Sequence, residues 1–327
     1  MSLVSIVIVN WNGLKYLQDC LSSLLNQMYR PIEIILVDNA STDGSVDFVR
    51  EHFPSVRIFQ NSKNLGFAEA SNIGIMKSKG ELIALFNQDA IANKDWLANL
   101  VEVIESSEEI AAVAGKVYYW GDKHGKNAVF CTWSKIDPYT ASPYNFTGNE
   151  PQAAVDYLSG CAMLVKKEII NEIGLLDTGY FLYFDETDWC ARIIRAAYKL
   201  IYVPNAIVRH VVSGSLENSQ IKAEYMIRNG IRFALKNFDL KYIPIFLLSF
   251  SVETVFIFLR NIRESDLCET KLRIKVFIWN MLNLRKTFKA RQKDHSRIKK
   301  SISYNLSLPL RQYKIGRIEQ YLRFIGK

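Results

Sequence analysis

The 327-residue chain is 49% hydrophobic and 23% charged, the balance of a globular protein with a substantial core. Its five cysteines (Cys20, Cys131, Cys161, Cys190 and Cys268) are scattered, odd in number and without a C-x-x-C pair, which argues against a disulfide framework or a cysteine zinc site. The net charge of +8 conceals an asymmetry: residues 1–240 carry 22 Lys and Arg against 27 Asp and Glu, and residues 241–327 carry 19 against 6, so two physically different regions share the chain.

The chain opens on a strand-like run, Val4–Val9, with no basic leader or cleavage site before it, so a cytoplasmic location is expected. Val4–Val9, Ile32–Val37, Val56–Gln60 and Leu82–Asn87 are short, apolar and rich in branched residues, and predict buried strands. Leu14, Leu17, Leu21, Leu24 and Leu25 fall at helical spacing, and a second helix is expected from an Asp95 cap through Ser106. Strand–helix alternation predicts a mostly parallel sheet whose ligands bind beyond the carboxyl ends of the strands. Residues Tyr119–Ala154, rich in Gly, Asn, Pro, Ser and Tyr, predict long loops with one hairpin. Order is expected to return at Val155–Lys166, with a helix at Glu186–Ala197, strands at Leu200–Val203 and Ile207–His210, and a helix over about Ser219 to Asn237.

Polar residues gather where these strands end. Asp38 follows the second strand, where a carboxylate can accept a hydrogen bond from a base imide or a ribose hydroxyl; Asp43 and Ser41 instead suit capping of the next helix. Asn64 and Gly66 form a turn after the third strand that lets backbone approach a ligand, and Asn72 on the following helix can face the same pocket. Asp89, just past the fourth strand, suits a hard cation that also ligates phosphate oxygens.

Taken in order, Ser5–Gly13, Val37–Ser45, Asn64–Ala68 and Asn87-Gln88-Asp89 resemble family 2 of the inverting glycosyltransferases, and within it the rhamnosyltransferase-like branch. The resemblance implies a GT-A fold, the α/β nucleotide-diphospho-sugar transferase fold with a mostly parallel, Rossmann-like central sheet. It would span residues 1–240, with a donor half about 1–118 and an acceptor half about 119–240. It also implies a nucleotide-diphosphate sugar as donor (dTDP-rhamnose or a UDP-sugar), Asp38 on the base, and Asp89 on a divalent cation, Mg2+ or Mn2+. Asn87 stands where the family often has the first acid of Asp-x-Asp; it can bond the ribose but adds no charge.

The run Asp185-Glu186-Thr187-Asp188 crowds three carboxylates at a loop-to-helix junction, which suits general-base work; helix-dipole complementation is the simpler account for Asp188. By resemblance this is the paired-acid motif in inverted order, with Glu186 as base, Asp185 assisting and Arg192 anchoring the acids. Ser159, Gly160 and Asp188 would line the acceptor side. The resemblance further implies that His210 completes the metal shell, with Ser213 and Arg228 offered to the donor diphosphate.

The extension, residues 241–327, holds an apolar run, Tyr242–Leu259, interrupted by Pro244 and Glu253 and too short for a confident membrane span. An interfacial helix flanked by Lys and Arg suits it, with Ile274, Phe277, Ile278, Met281 and Leu282 as a second apolar face. Packing on the catalytic domain is the alternative. A peripheral enzyme on the cytoplasmic membrane face, using a glycan or polyprenyl-diphosphate-linked acceptor, would account for the basic charge; no motif points to nucleic acid. A sugar nucleotidyltransferase is opposed by the Asn10–Gly13 loop, which lacks a Gly-rich, basic cradle, and a dehydrogenase by the absence of G-x-G-x-x-G. A sugar-nucleotide-binding scaffold without catalysis stays open, because Asn87 and the inverted acids depart from the family pattern.

Overall fold

The computed structural model describes residues 1–298 except 122–124, 126, 138–140, 142, 149–150 and 212–218. Ser213 and residues 299–327 of the extension therefore lie outside the described residues. The chain begins β1 (Val4–Asn10), α1 (Leu14–Leu25), β2 (Ile32–Asp38), α2 (Ser45–His52), β3 (Arg57–Gln60), α3 (Phe67–Lys77), β4 (Leu82–Asn87), β5 (Ala90–Ala92), α4 (Trp96–Glu105) and β6 (Ile110–Tyr119). It continues through β7 (Val129–Cys131), β8 (Ser134–Ile136), β9 (Pro143–Asn145), β10 (Ala153–Val155), β11 (Ala162–Lys166), α5 (Lys167–Ile173), α6 (Asp185–Arg195) and β12 (Lys199–His210). Four helices close the described chain: α7 (Ser219–Asn237), α8 (Ile243–Arg263), α9 (Cys268–Leu282) and α10 (Leu284–Arg297).

The main sheet runs β10-β12-β6-β11-β4-β1-β2-β3, with β5 added to β12 and β7 to β6. β3, β2, β1 and β4 are mutually parallel, as are β6 and β12, while β11 runs antiparallel between β4 and β6. The sheet is thus mixed. Alternation along each strand divides the apolar residues between two faces. Ile6 and Ile8 pack with Leu17, Leu21 and Leu24 of α1, Val49 of α2 and Trp96 and Leu100 of α4. Val7, Ile83 and Leu85 pack on the other face with Ile75 of α3, Ile170 of α5 and Trp189 and Ile193 of α6.

Three expectations need correction. The two strands expected after residue 199 are one, β12, whose pairing with β6 slips between Val203 and Ile207, where Pro204 has no N–H to give. Asp95 occupies the cap position of α4 without a side-chain capping bond. The apolar run after Tyr242 is neither short nor broken: Leu240–Arg263 is long and apolar enough to cross a membrane. Pro244 falls in the first turn of α8, where a missing N–H costs nothing, and Glu253 is neutralised by Arg273 at 2.9 Å.

Buried charge fastens α6 to α7 and, through Asp294, to the helical extension. Lys236 of α7 lies 2.9 Å from Asp188, 2.7 Å from Asp177 and 2.9 Å from Asp294 of α10. Arg192 donates to Asp188 at 2.9 Å, Asn237 does so at 2.8 Å, and Arg232 reaches Asp177 at 2.9 Å. Burial opposes the charge on Asp188, but Lys236 and Arg192 outweigh it and hold the carboxyl below its ordinary range. Asp177 is likewise held low, with Lys236 and Arg232 overcoming its burial.

Asp188→Asn leaves Lys236 and Arg192 short of a counter-charge in the interior, and should lower unfolding free energy by about 3–5 kcal/mol in urea titration. Because both carboxyls are depressed in the folded state, their stabilisation is complete above the unfolded carboxylate pKa of about 3.9 and fades as pH falls below it. A urea midpoint that holds from neutrality to about pH 5 and then drops steeply in the wild type, less so in Asp188→Asn, is the expected profile.

Candidate functional site

The carboxyl ends of β1, β2 and β4 lie side by side, with Asn10 opposite Asp38 and Val9 opposite Asn87. The Asn10 amide donates to Asp38 Oδ1 at 2.7 Å and Ser45 Oγ at 2.8 Å, and Ser41 N–H donates to Asp38 Oδ2 at 3.1 Å. Asp38 is thereby buried and fixed at the strand end. Asp43 ties the neighbouring loops together, accepting from Ser45 N–H at 3.1 Å and Leu14 N–H at 2.9 Å. Partial burial works against its charge, yet these hydrogen bonds hold its carboxyl below the ordinary range. Gln88 clamps the Trp11 backbone, accepting from its N–H at 2.9 Å and donating to its carbonyl at 3.2 Å. Sequence reading assigned roles to neither Asn10 nor Gln88; a polar residue closing an apolar strand was the available signal for Asn10.

Asn64 Oδ1 accepts from Gly66 N–H at 2.9 Å, closing the turn before α3. Gly66 has φ +82°, and a Cβ there would lie 2.4 Å from the Phe181 carbonyl oxygen. The close approach that requires glycine is therefore to the segment leading into α6. Asn72 turns away from the strand ends: buried, it donates to the Leu176 carbonyl at 2.9 Å and accepts from Leu176 N–H at 3.0 Å. Both ends of its amide are thus engaged by the Leu176 backbone.

Asp89 and His210, 121 residues apart, meet. β5 follows the Gln88-Asp89 corner and pairs antiparallel with the end of β12, Ala90 opposite His210, and Val211 N–H closes on the Asp89 carbonyl at 2.9 Å. His210 Nε2 lies 3.0 Å from Asp89 Oδ1 and 3.2 Å from the Asn87 amide nitrogen. Both side chains are buried. Neighbouring ligands on an octahedral cation with bonds of about 2.1 Å stand about 3 Å apart, so the pair fits one Mg2+ or Mn2+. Among the described residues no third acid, His or Cys joins them. The remaining positions suit phosphate oxygens and water.

The second cluster forms where α6 begins. Tyr183 and Phe184 both take left-handed backbone, φ +65° and +71°, and Asn229 of α7 holds that strained turn by donating to the Leu182 and Tyr183 carbonyls at 2.7 and 2.9 Å. Asp185 is buried with Oδ2 unpartnered; burial, and next the Glu186 charge, push its carboxyl well above the usual range. Glu186 is half-buried, and its Oε1 accepts from the Tyr157 hydroxyl at 2.7 Å, a partner with no sequence signal. A Cβ on Gly160 would lie 2.7 Å from Glu186 Cγ, so glycine leaves the space in which Glu186 lies. Ser159 hydrogen-bonds the Cys161 thiol, and the Cys161 carbonyl accepts from Asn87 N–H at 2.9 Å, joining this cluster to the end of β4.

One further assignment is corrected. Asp188 is fully buried and surrounded by Lys236, Arg192 and Asn237, so it anchors α6 and offers nothing to an acceptor. Among the described residues, the Arg228 side chain hydrogen-bonds Asn229 at 3.1 Å, and its guanidinium lies 4.4 Å from the Tyr225 ring centroid and 4.5 Å from that of Trp279.

A mixed sheet with polar residues clustered at its strand ends, and paired acids at the start of α6, is the arrangement of a GT-A glycosyltransferase. The family model for glycosyl transferase family 2 matches residues 5–174. Glycosyltransferase GlyG of Streptococcus pneumoniae is 26% identical over 232 residues, covering 67% of this chain and 74% of that one. An N-acetylglucosaminyl-diphospho-decaprenol L-rhamnosyltransferase of Mycobacterium tuberculosis is 27% identical over 231 residues, covering 63% and 75%. Among solved structures, a mannosyltransferase of Pyrobaculum calidifontis in complex with GDP-Man and Mn2+ superposes with a TM-score of 0.54 at 16% identity, covering 86% and 87%. The chain belongs to glycosyl transferase family 2, with likeness to its rhamnosyltransferase-like branch, and is an enzyme that uses nucleotide sugars.

Gly160→Ala forces Glu186 to move, since the added carbon meets the root of that side chain rather than its flexible tip. Turnover should fall about tenfold or more with nucleotide affinity unchanged, measured by steady-state kinetics beside nucleotide titration.

Proposed function

We propose that the enzyme transfers a sugar, with inversion, from dTDP-rhamnose or a UDP-sugar to a hydroxyl of a glycan or polyprenyl-diphosphate-linked acceptor, with Mg2+ or Mn2+ bound by Asp89 and His210. The observation that carries this reading is the 3.0 Å approach of Asp89 to His210 beside the strand end that fixes Asp38. Asp38 receives the base or ribose; Asn87 and the Asn64 turn border the same donor. When bound, the cation stabilises negative charge on the departing diphosphate.

Burial, and next the Glu186 charge, push the Asp185 carboxyl well above the usual range, while Glu186 is the half-buried acid of the pair, so Glu186 is assigned as the base. Glu186 takes the acceptor hydroxyl's proton as that oxygen bonds the anomeric carbon and the carbon–phosphate oxygen bond breaks, releasing the nucleoside diphosphate. The Tyr157 hydroxyl orients Glu186, and Ser159 and Gly160 leave room beside it. The polyprenyl-diphosphate-linked acceptor is favoured by the mycobacterial relative, whose name carries diphospho-decaprenol.

Glu186→Gln should lower transfer about 10²–10⁴-fold while the nucleotide still binds; Asp89→Asn should instead abolish the Mn2+-dependent gain in nucleotide affinity. A thermal-shift screen of dTDP- and UDP-sugars with and without Mn2+ names the donor. Full transfer by Glu186→Gln, or identical nucleotide affinity with and without Mn2+ in the wild type, would overturn the respective assignments.

The enzyme sits on a membrane face, in this reading, through α8 and α9. These helices put polar groups inside and apolar groups outside: Glu253 pairs with Arg273 and Asn261 bonds Thr270 at 3.0 Å between them. Meanwhile Leu248, Val252, Val255 and Phe258 of α8 and Ile274, Ile278 and Met281 of α9 are exposed. Such a surface matches the acyl boundary of a bilayer, with basic residues of the extension at the headgroups. The wild type should float with anionic vesicles, and a Val252, Val255 and Phe258→Ser variant should stay in the soluble fraction; equal flotation would remove this assignment.

A further inference from the structure

Arg228 is the charged residue that the transfer chemistry above does not use. It is half-buried on α7, with its guanidinium carbon 4.4 Å from the Tyr225 ring centroid and 4.5 Å from that of Trp279. Its Nε donates to Asn229 Oδ1 at 3.1 Å. Among the described residues no carboxylate pairs with it: Glu224, one turn away, is taken by Lys275 at 2.8 Å. Burial lowers its pKa, the response of a cation withdrawn from water with too little negative charge at hand. The planar edge of a guanidinium is the part that binds phosphate oxygens in pairs.

Its position matters as much as its state. On one side, Asn229 holds the Leu182 and Tyr183 carbonyls, the turn that delivers Asp185 and Glu186. Tyr225 stacks on Phe181 with centroids 5.6 Å apart, and the Phe181 carbonyl accepts from Phe67 N–H at 2.8 Å beside the Gly66 turn. On the other side, Trp279 belongs to α9, where Ile274, Phe277, Ile278 and Met281 are exposed. The order across the surface is thus acid pair, unpaired guanidinium, apolar helix face.

We propose that Arg228, framed by Tyr225 and Trp279, is the subsite for the diphosphate of a lipid-linked acceptor, with the hydrocarbon running over α9 and the sugar hydroxyl reaching Glu186. A sugar–diphosphate–polyprenyl molecule has its three chemical parts in that same order. The assignment rests on the transferase reading above and narrows its acceptor to an anionic amphiphile. It also moves Arg228 from the donor's phosphates to the acceptor's.

The test uses the full chain and geranylgeranyl diphosphate in detergent micelles, with geranylgeraniol and inorganic pyrophosphate as partial probes. Binding is read by titration calorimetry. The wild type should bind the lipid diphosphate about tenfold or more tightly than the alcohol or pyrophosphate. Arg228→Gln should erase that advantage, leave alcohol binding unchanged and leave UDP and dTDP affinity with Mn2+ unchanged; Arg228→Lys, which keeps the charge without the fork, should retain part of it. Lipid-diphosphate binding undiminished in both variants overturns the subsite. A matching loss of nucleotide affinity overturns it as well and returns Arg228 to the donor. Wild-type thermal transitions are required of both variants, and Trp279→Leu, which removes one ring without touching the charge, should weaken the lipid diphosphate alone. Transfer and its loss in Glu186→Gln are measured separately, so failure of the transferase reading is told apart from failure of this subsite.

Discussion

The site depends on a short piece of antiparallel pairing just beyond the end of β4. β4 ends at Asn87, the chain turns a two-residue corner, and β5 lies against the last residues of β12. Backbone hydrogen bonds, which any sequence can make, set this register; the Val211 N–H bond to the Asp89 carbonyl fixes its end. A carboxylate and an imidazole 121 residues apart in the chain are therefore held face to face by main-chain geometry before either side chain contributes. A slip of one residue would turn His210 to the other face of the strand and undo the pair.

Glycines set the distances elsewhere. Gly66 lets the turn before α3 lie against Phe181, and Gly160 lets the strap before β11 lie against Glu186. Both contacts converge on the segment 181–186, whose left-handed residues Tyr183 and Phe184 are kept in place by Asn229. The donor-side loops and the acid pair are thus parts of one packed unit. Beneath it, the Asp188–Lys236–Asp294 contacts carry the rigidity of α6 into the C-terminal helices, so the extension supports the acid pair as well as offering an apolar surface.

The helical extension reverses the usual partition of residues. Soluble helix pairs bury their apolar stripes, whereas α8 and α9 spend their shared interface on Glu253–Arg273 and Asn261–Thr270 and turn much of their aliphatic surface outward. Phe246 and Phe250 are the exceptions, tying α8 to Phe238 and Val276. Unpaired Arg228 lies at the border of these two environments, beside Trp279.

Local chemistry determined a good deal without any structure. Apolar runs of four to seven residues gave β1, β2, β3 and β4 nearly to the residue, and leucine spacing gave α1, because burial demands those periodicities wherever the element ends up. The positions of Asp38 and His210 at strand ends, of Asp89 just past one and of Glu186 at a helix start were legible, because such boundaries are marked by the residues beside them. What a side chain faces was not legible. Asn72 and Asp188 carry the same chemistry as ligand-binding residues, and only packing spent the one on Leu176 and the other on Lys236 and Arg192. Gln88, Tyr157 and Trp279 acquired their roles through contacts between residues 29 to 77 positions apart. The sequence by itself determined which elements form, since propensity and hydrophobic period are local; the tertiary structure alone decided which polar groups are satisfied within the fold and which remain available, since that depends on partners brought together only when the sheet closes.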